Sequence, residues 1–279
     1  MAVLLGLAVA AGYGIGDFFG GLASRRSPTA VVLLGAQVVG LVGLLAVVLA
    51  TGTDGPSARD IGVSAAAGLA GTGGLGALFH GLSVGRMTVV APIAAVVAST
   101  IPVVWGLATG EDPTHVALAG VVLAIGAGGL IGLGEDAEQH GTVAAGVALA
   151  LTAGAGFGTA FVLFSETSDG SGVWPAVLAR ASALPFVLAV AFVTARRLVP
   201  SREIGRPVAA SGMLDAFANS MQLVAVRQEL LSLVAPVAAL APAFTVLLAR
   251  LSLGERSTRA QVVGVLAALA GLALIAAGS

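Results

Sequence analysis

The sequence predicts an all-α membrane protein with ten transmembrane helices, arranged as two inverted five-helix repeats. Of the 279 residues, 57% are hydrophobic and only 10% are charged, whereas soluble domains contain about 45–50% and 25%. The mean hydropathy is +1.03. Because a helix needs about 20 apolar residues to cross a bilayer, ten spans would occupy most of the chain and leave no room for a soluble domain.

The predicted spans are the apolar runs between breaks that contain polar residues, glycine or proline. They cover residues 3–22, 29–50, 61–82, 88–108, 115–134, 142–164, 173–195, 208–226, 232–252 and 259–277. The longest polar break is 196–207, between spans 7 and 8. A second break, the acidic segment 135–141, separates the first five spans from the last five.

An internal repeat supports this division. Residues 90–131 align without a gap on residues 234–275, and 14 of the 42 positions are identical. The matching positions include Val-Ala-Pro at 90–92 and 234–236, and a Gly-Glu-x-x-Thr turn at 110–114 and 254–258. Spans 1 and 6 share a Gly-x-Gly-x-Gly pattern, so the duplication extends over five spans per copy. Five is an odd number, and the second copy must therefore enter the membrane from the opposite face.

The predicted organisation is thus a first five-helix repeat at 1–134, an acidic linker at 135–141 and a second repeat at 142–279. Ten spans, a five-plus-five duplication and a Gly-Glu-x-x-Thr turn before the last span of each half resemble the EamA-type branch of the drug/metabolite transporter superfamily. Span 1 departs from the family's commoner Trp-Gly opening with Tyr13-Gly14. It also carries Asp17, where many members are neutral.

The resemblance implies a secondary-active transporter that exports small metabolites, amino acids or drug-like solutes by alternating access. A nucleotide-sugar or sugar carrier of the same superfamily is the alternative transport function. A non-transporting membrane scaffold or a membrane enzyme is the alternative from a different class. The expected location is the cell membrane, as a multi-pass protein of a bacterial inner membrane.

Ionisable side chains inside the hydrocarbon region are costly, and each is therefore a candidate site residue. Counting from the span ends at about 1.5 Å per residue places Arg180 and Asp215 beside a central polar cavity and Asp17 near one mouth. Arg180 either binds a carboxylate or another anion, or forms a fixed ion pair that only joins spans 7 and 8. Asp17 or Asp215 is also a candidate for binding a coupling proton, because burial favours the neutral form of a carboxyl group.

Neutral polar residues complete the candidate site. Asp215, Asn219 and Gln222 follow an i, i+4, i+7 pattern, which places them on one face of a helix. Tyr13 and Asp17 are likewise i, i+4, an aromatic ring beside a carboxylate, as a small amphipathic or cationic solute would require. The predicted substrate-binding residues are Tyr13, Asp17, Gln37, Arg180, Asp215, Asn219 and Gln222.

Several classes of protein are disfavoured by what the sequence lacks. It has no cysteine, no Walker loop, no His-rich metal cluster and no Ser-His-Asp set in a credible context. We therefore expect no enzymatic activity, cofactor, metal site or nucleic-acid partner. The expected partners are a small-molecule substrate, protons as a candidate coupling ion and the lipid bilayer, and a homodimer is compatible with the sequence.

The orientation in the membrane is predicted differently by two criteria. Ten of the 13 basic residues, all of them arginine, lie in breaks on the face opposite to the two chain ends. The positive-inside rule places that face in the cytoplasm. The family resemblance implies instead that both chain ends are cytoplasmic.

Overall fold

The computed structural model describes residues 2–52, 55–108, 114–116, 118–120, 122–123, 126–127, 140–195, 197–227, 241–254 and 259–278, and these residues contain helices but no β-strand. The helices are α1 (Ala2–Ser24), α2 (Thr29–Thr51), α3 (Ala58–Val84), α4 (Met87–Ala108), α5 (His140–Ser165), α6 (Trp174–Thr194), α7 (Arg202–Arg227), α8 (Ala241–Leu253) and α9 (Arg259–Gly278). A short 3₁₀ turn, Asp169–Ser171, lies between α5 and α6.

The all-helical class predicted from composition is confirmed. Four helical segments are long and apolar enough to cross a membrane: Thr29–Thr51, Ala58–Val84, Ala144–Phe164 and Trp174–Thr194. These segments correspond to predicted spans 2, 3, 6 and 7, and their ends agree with the prediction to within three residues. The chain is therefore a multi-pass membrane protein.

The predicted break at 196–207 is longer than the one in the structure, because α7 begins at Arg202 rather than at 208. The polar residues and Pro207 suggested a loop. However, Ile204 and Val208 are buried in an apolar cluster with residues of α2 and α6. Extending the helix by six residues, 202–207, adds Ile204 to this buried face beside Val208, while Arg202 and Glu203 remain exposed. This apolar packing outweighs the weak helix preference of the segment.

Two other predicted elements lie partly outside the described residues. Span 9 was predicted to begin at 232, and only its second part is described, as α8. Of span 5, the described residues between 115 and 127 are helical. Residues 135–139 of the predicted linker also lie outside the described part, and α5 already includes residues 140 and 141.

The most extensive packing joins helices of the first half of the chain to helices of the second half. Helix α1 packs on α7 and α8, α2 on α6 and α7, α3 on α5 and α6, and α4 on α5, α8 and α9. The surface between the two halves therefore runs through the centre of the bundle, where side chains from both can meet.

Two helix crossings in this surface depend on glycine. A Cβ atom at Gly68 of α3 would collide with the carbonyl group of Ala179 on α6, and one at Gly212 of α7 would collide with that of Ala36 on α2. Small residues allow such backbone contact between membrane helices. Ala179 precedes Arg180, and Ala36 precedes Gln37, so both crossings bring candidate site residues to the centre.

A polar cluster joins the two halves at the end of the bundle where α3 begins. Asp60 forms a capping box with Ser57, which fixes the first turn of α3. Its carboxylate also accepts hydrogen bonds from the segment between α5 and α6: from the backbone N–H of Ser168 (2.9 Å) and from the hydroxyls of Ser168 (2.6 Å) and Ser171 (2.8 Å). This buried carboxylate ties the connection between α5 and α6 to α3.

We predict that Asp60→Asn lowers the free energy of unfolding by about 1–3 kcal/mol, because the new amide nitrogen cannot accept the hydroxyl hydrogen bonds. The measurement is thermal unfolding of the purified protein in detergent. Glu166→Gln is the control: it removes the nearby ion pair with Arg59 (3.1 Å), whose side chains are 71% and 48% exposed, and such pairs contribute about 0–1 kcal/mol. Equal losses in both variants would contradict the role assigned to Asp60.

Candidate functional site

Four polar side chains form a continuous network near the middle of the bundle. The Gln37 amide nitrogen donates a hydrogen bond to the Thr72 hydroxyl (2.5 Å), and the Gln37 Oε1 accepts one from Arg180 Nη1 (2.6 Å). The Nη2 of the same guanidinium forms an ion pair with Asp215 Oδ2. The network thus connects α3, α2, α6 and α7 in turn.

The guanidinium of Arg180 is enclosed by protein. The side chains of Arg180 and Asp215 are 10% and 22% exposed, and Gln37 is 2% exposed. A Cβ atom at Gly40 would approach Arg180 Nη1 to 2.5 Å, so the absence of a side chain there makes room for the guanidinium. A buried charge is tolerated when it is paired and hydrogen-bonded, and Arg180 is both.

Asn219 extends the network along α7. Its amide nitrogen donates hydrogen bonds to the backbone carbonyl of Asp215 (2.7 Å) and to Asp215 Oδ2 (3.1 Å). Asp215 therefore interacts with Arg180 and Asn219 together. Gln222 also belongs to α7, but its side chain lies outside the part of the chain that the structure describes.

Tyr13 and Asp17 lie on α1, beside this network and not within it. Both side chains are half-buried. Tyr13 is close enough to Arg180 and to Asp17 for the charges of both residues to act on its hydroxyl group. Within the described residues, Asp17 forms neither a hydrogen bond nor an ion pair. Of the predicted site residues, the structure thus joins Gln37, Arg180, Asp215 and Asn219 directly and places Tyr13 and Asp17 at their edge.

Thr72 is a member of the network that reasoning from the sequence missed. A threonine in an apolar span carries little signal by itself, but the internal duplication offers one. Arg180 follows Gln37 by 143 positions, and Asp215 follows Thr72 by the same number. Each half thus supplies one bonded pair, Gln37–Thr72 or Arg180–Asp215, and the bond between Gln37 and Arg180 joins the two pairs.

The fold of this chain is similar to that of a known protein. A solved crystal structure that is 16% identical in sequence has the same fold, with a TM-score of 0.62 over 96% of this chain and 95% of that chain. No curated protein matches the sequence.

Residues 144–277 match the model of the EamA-like transporter family, which is part of the drug/metabolite transporter superfamily. This region contains α6 and α7, and with them Arg180, Asp215 and Asn219 of the network. The resemblance predicted from the sequence is therefore confirmed: the matched region, residues 144–277, belongs to the EamA-like transporter family.

Proposed function

We propose that the protein is a secondary-active transporter that exports small metabolites, amino acids or drug-like solutes by alternating access. The family match indicates a transporter of the drug/metabolite type. The observation that carries the finer proposal is the buried Gln37–Arg180–Asp215 network in the middle of the bundle. Ionisable residues at membrane depth mark solute and ion pathways in transporters.

The proposed architecture is ten transmembrane helices in two inverted repeats, and the packing supports it. Exchanging each helix with its counterpart in the other half turns the pair α1–α7 into α5–α3, and the pair α2–α7 into α6–α3. All four pairs are present. The same exchange relates the two glycine crossings: Gly68 of α3 on Ala179 of α6, and Gly212 of α7 on Ala36 of α2. Such a pseudo-two-fold arrangement suits alternating access, because the two halves can exchange conformations around a central site.

A central site between the halves also gives a function to the polar groups that lie there. Every bond in the network except those of Asn219 connects two different helices, and the Gln37–Arg180 bond connects the two halves. A solute with polar groups that binds here would contact both halves at once. Binding of such a solute could therefore change the relative stability of the two access states, in which the site is open to one side of the membrane or to the other.

The test is a flux assay in proteoliposomes with a panel of metabolites, amino acids and amphipathic drugs, with and without a proton gradient. We expect at least one solute to be exchanged by the wild type. Its flux should fall by about tenfold or more in Arg180→Ala, Asp215→Asn and Asp17→Asn, as expected for loss of a hydrogen bond to a charged group. Dependence of the flux on the gradient would identify protons as the coupling ion.

The matched control is Arg59→Gln, which removes an arginine from an exposed ion pair and should leave flux unchanged. Flux of an identified solute that survives all three site substitutions would contradict the proposed site. A stable, monodisperse protein that moves no solute of the panel would favour the non-transporting scaffold.

A further inference from the structure

Asp17 is the one carboxylate of the central region whose charge has no counterpart in the described residues. The positive charge of Arg180 is already matched by Asp215, and its other nitrogen is bonded to Gln37. When Asp17 is ionised, Arg180, Asp215 and Asp17 together therefore carry one excess negative charge. An isolated charge is expensive inside a membrane protein, so this carboxyl group is neutralised either by a proton or by a bound cation.

The direction of this carboxylate follows from the packing of α1. The glycines of α1 contact three neighbours: Gly12 and Gly16 face α7, Gly14 faces α8, and Gly20 and Gly21 face α3. At about 100° per residue, Tyr13 and Asp17 fall between the directions of α7 and α8, on the side of α3. They therefore project towards the interior of the bundle and not towards lipid.

Tyr13 gives this position the character of a cation site. Its side chain is one helical turn from Asp17 on the same face, about 40° away around the helix axis. Both residues are half-buried, whereas Arg180 is buried. An aromatic face beside a carboxylate attracts organic cations through charge and through the ring quadrupole.

We propose that Asp17 and Tyr13 form the subsite for an organic ammonium group on the transported solute. The Arg180–Asp215 ion pair, which has no net charge, forms the polar wall next to this subsite. This inference rests on the proposed transport function and narrows its substrate class to solutes that carry a positive group. It also gives a role to a carboxylate on a helix that is otherwise rich in glycine and apolar residues.

The test uses radiolabelled choline and the purified full-length protein in detergent. Unlabelled choline should displace the label at least about tenfold more effectively than 3,3-dimethyl-1-butanol, which has the same shape without the charge. Asp17→Asn should weaken choline binding by about tenfold or more. Tyr13→Phe, which keeps the ring, should bind within about threefold of the wild type, and Tyr13→Leu should lose about two- to thirtyfold.

Glu203→Gln is the matched control, because Glu203 is an exposed carboxylate at the start of α7, and it should bind choline as the wild type does. Equal displacement by choline and the neutral alcohol would overturn the subsite, and this comparison needs no substituted protein. The absence of saturable choline binding to the wild type, or unchanged binding in Asp17→Asn, would also overturn the subsite. Each of these results leaves the proposed function standing if the solute panel still shows flux that depends on Arg180 and Asp215.

Discussion

Replacing Arg180 by glutamine is expected to destabilise the protein by about 3 kcal/mol, because Asp215 is left in the bundle without its counter-charge. This value is the lower end of the range for buried pairs, since the Asp215 side chain keeps 22% of its exposure. Asp215→Asn should destabilise by a similar amount, because it leaves the more deeply buried guanidinium unpaired. The measurement is denaturant or thermal unfolding of each purified variant.

The double variant Arg180→Gln/Asp215→Asn should recover most of the lost stability. Neither side chain is then charged, and two amides can still form hydrogen bonds with each other, with Gln37 and with Asn219. The stabilities of wild type, the two single variants and the double variant form a double-mutant cycle, which isolates the interaction between the two residues. A double variant that is as unstable as the sum of the single variants would contradict direct pairing.

The same double variant separates the two roles that Arg180 can have. If the ion pair only joins α6 and α7, flux returns together with stability. If the charged groups contact the solute, stability returns and flux stays at least about tenfold below the wild type. The proposed function predicts the second result, and a return of flux would show that the pair is a fixed structural contact.

Gly68→Ala is expected to lower the unfolding temperature by several degrees, equivalent to about 1–3 kcal/mol of overpacking. The added methyl group would collide with the backbone of Ala179, and neither backbone can move without separating α3 from α6. Displacing Ala179 would also move Arg180, which follows it in α6, so flux should fall as well. Thermal unfolding in detergent and proteoliposome flux measure the two effects.

Gly73→Ala provides the control on the same helix. No neighbouring helix has an atom within 4 Å of a Cβ built at Gly73, and alanine is favoured over glycine in a helix by about 1 kcal/mol. The two substitutions are chemically identical, yet we expect opposite signs: destabilisation at 68, and an unchanged or higher unfolding temperature at 73. A loss of stability at both positions would mean that the crossing at Gly68 is not the cause.

The helical class and most helix ends could be predicted from the order of apolar and polar residues. A span needs a fixed length of apolar residues to cross a bilayer, and breaks in the apolar pattern are easy to locate. The prediction was wrong at the start of α7, where Ile204 and Val208 are buried against residues of α6 and against residues of α2 that lie far earlier in the chain. Local polarity contains no information about such partners.

The candidate site could likewise be predicted only in part from the sequence. Arg180 and Asp215 stand out in the sequence because charges are rare in apolar spans, and Asn219 follows from helical periodicity. The hydrogen bond between Gln37 and Arg180, the part played by Thr72 and the space left by Gly40 could not be predicted in this way. Each depends on which helices cross and on which faces they present.

The sequence by itself determined that this is a helical membrane protein, it predicted an internal duplication, and it singled out the charged residues that the bilayer makes costly. These properties follow from composition, periodicity and internal similarity, which are local or repeated along the chain. Only the tertiary structure decided which charges are matched. It pairs Arg180 with Asp215 and leaves Asp17 without a partner among the described residues, because the glycine crossings, rather than the spacing along the chain, determine which side chains meet at the centre.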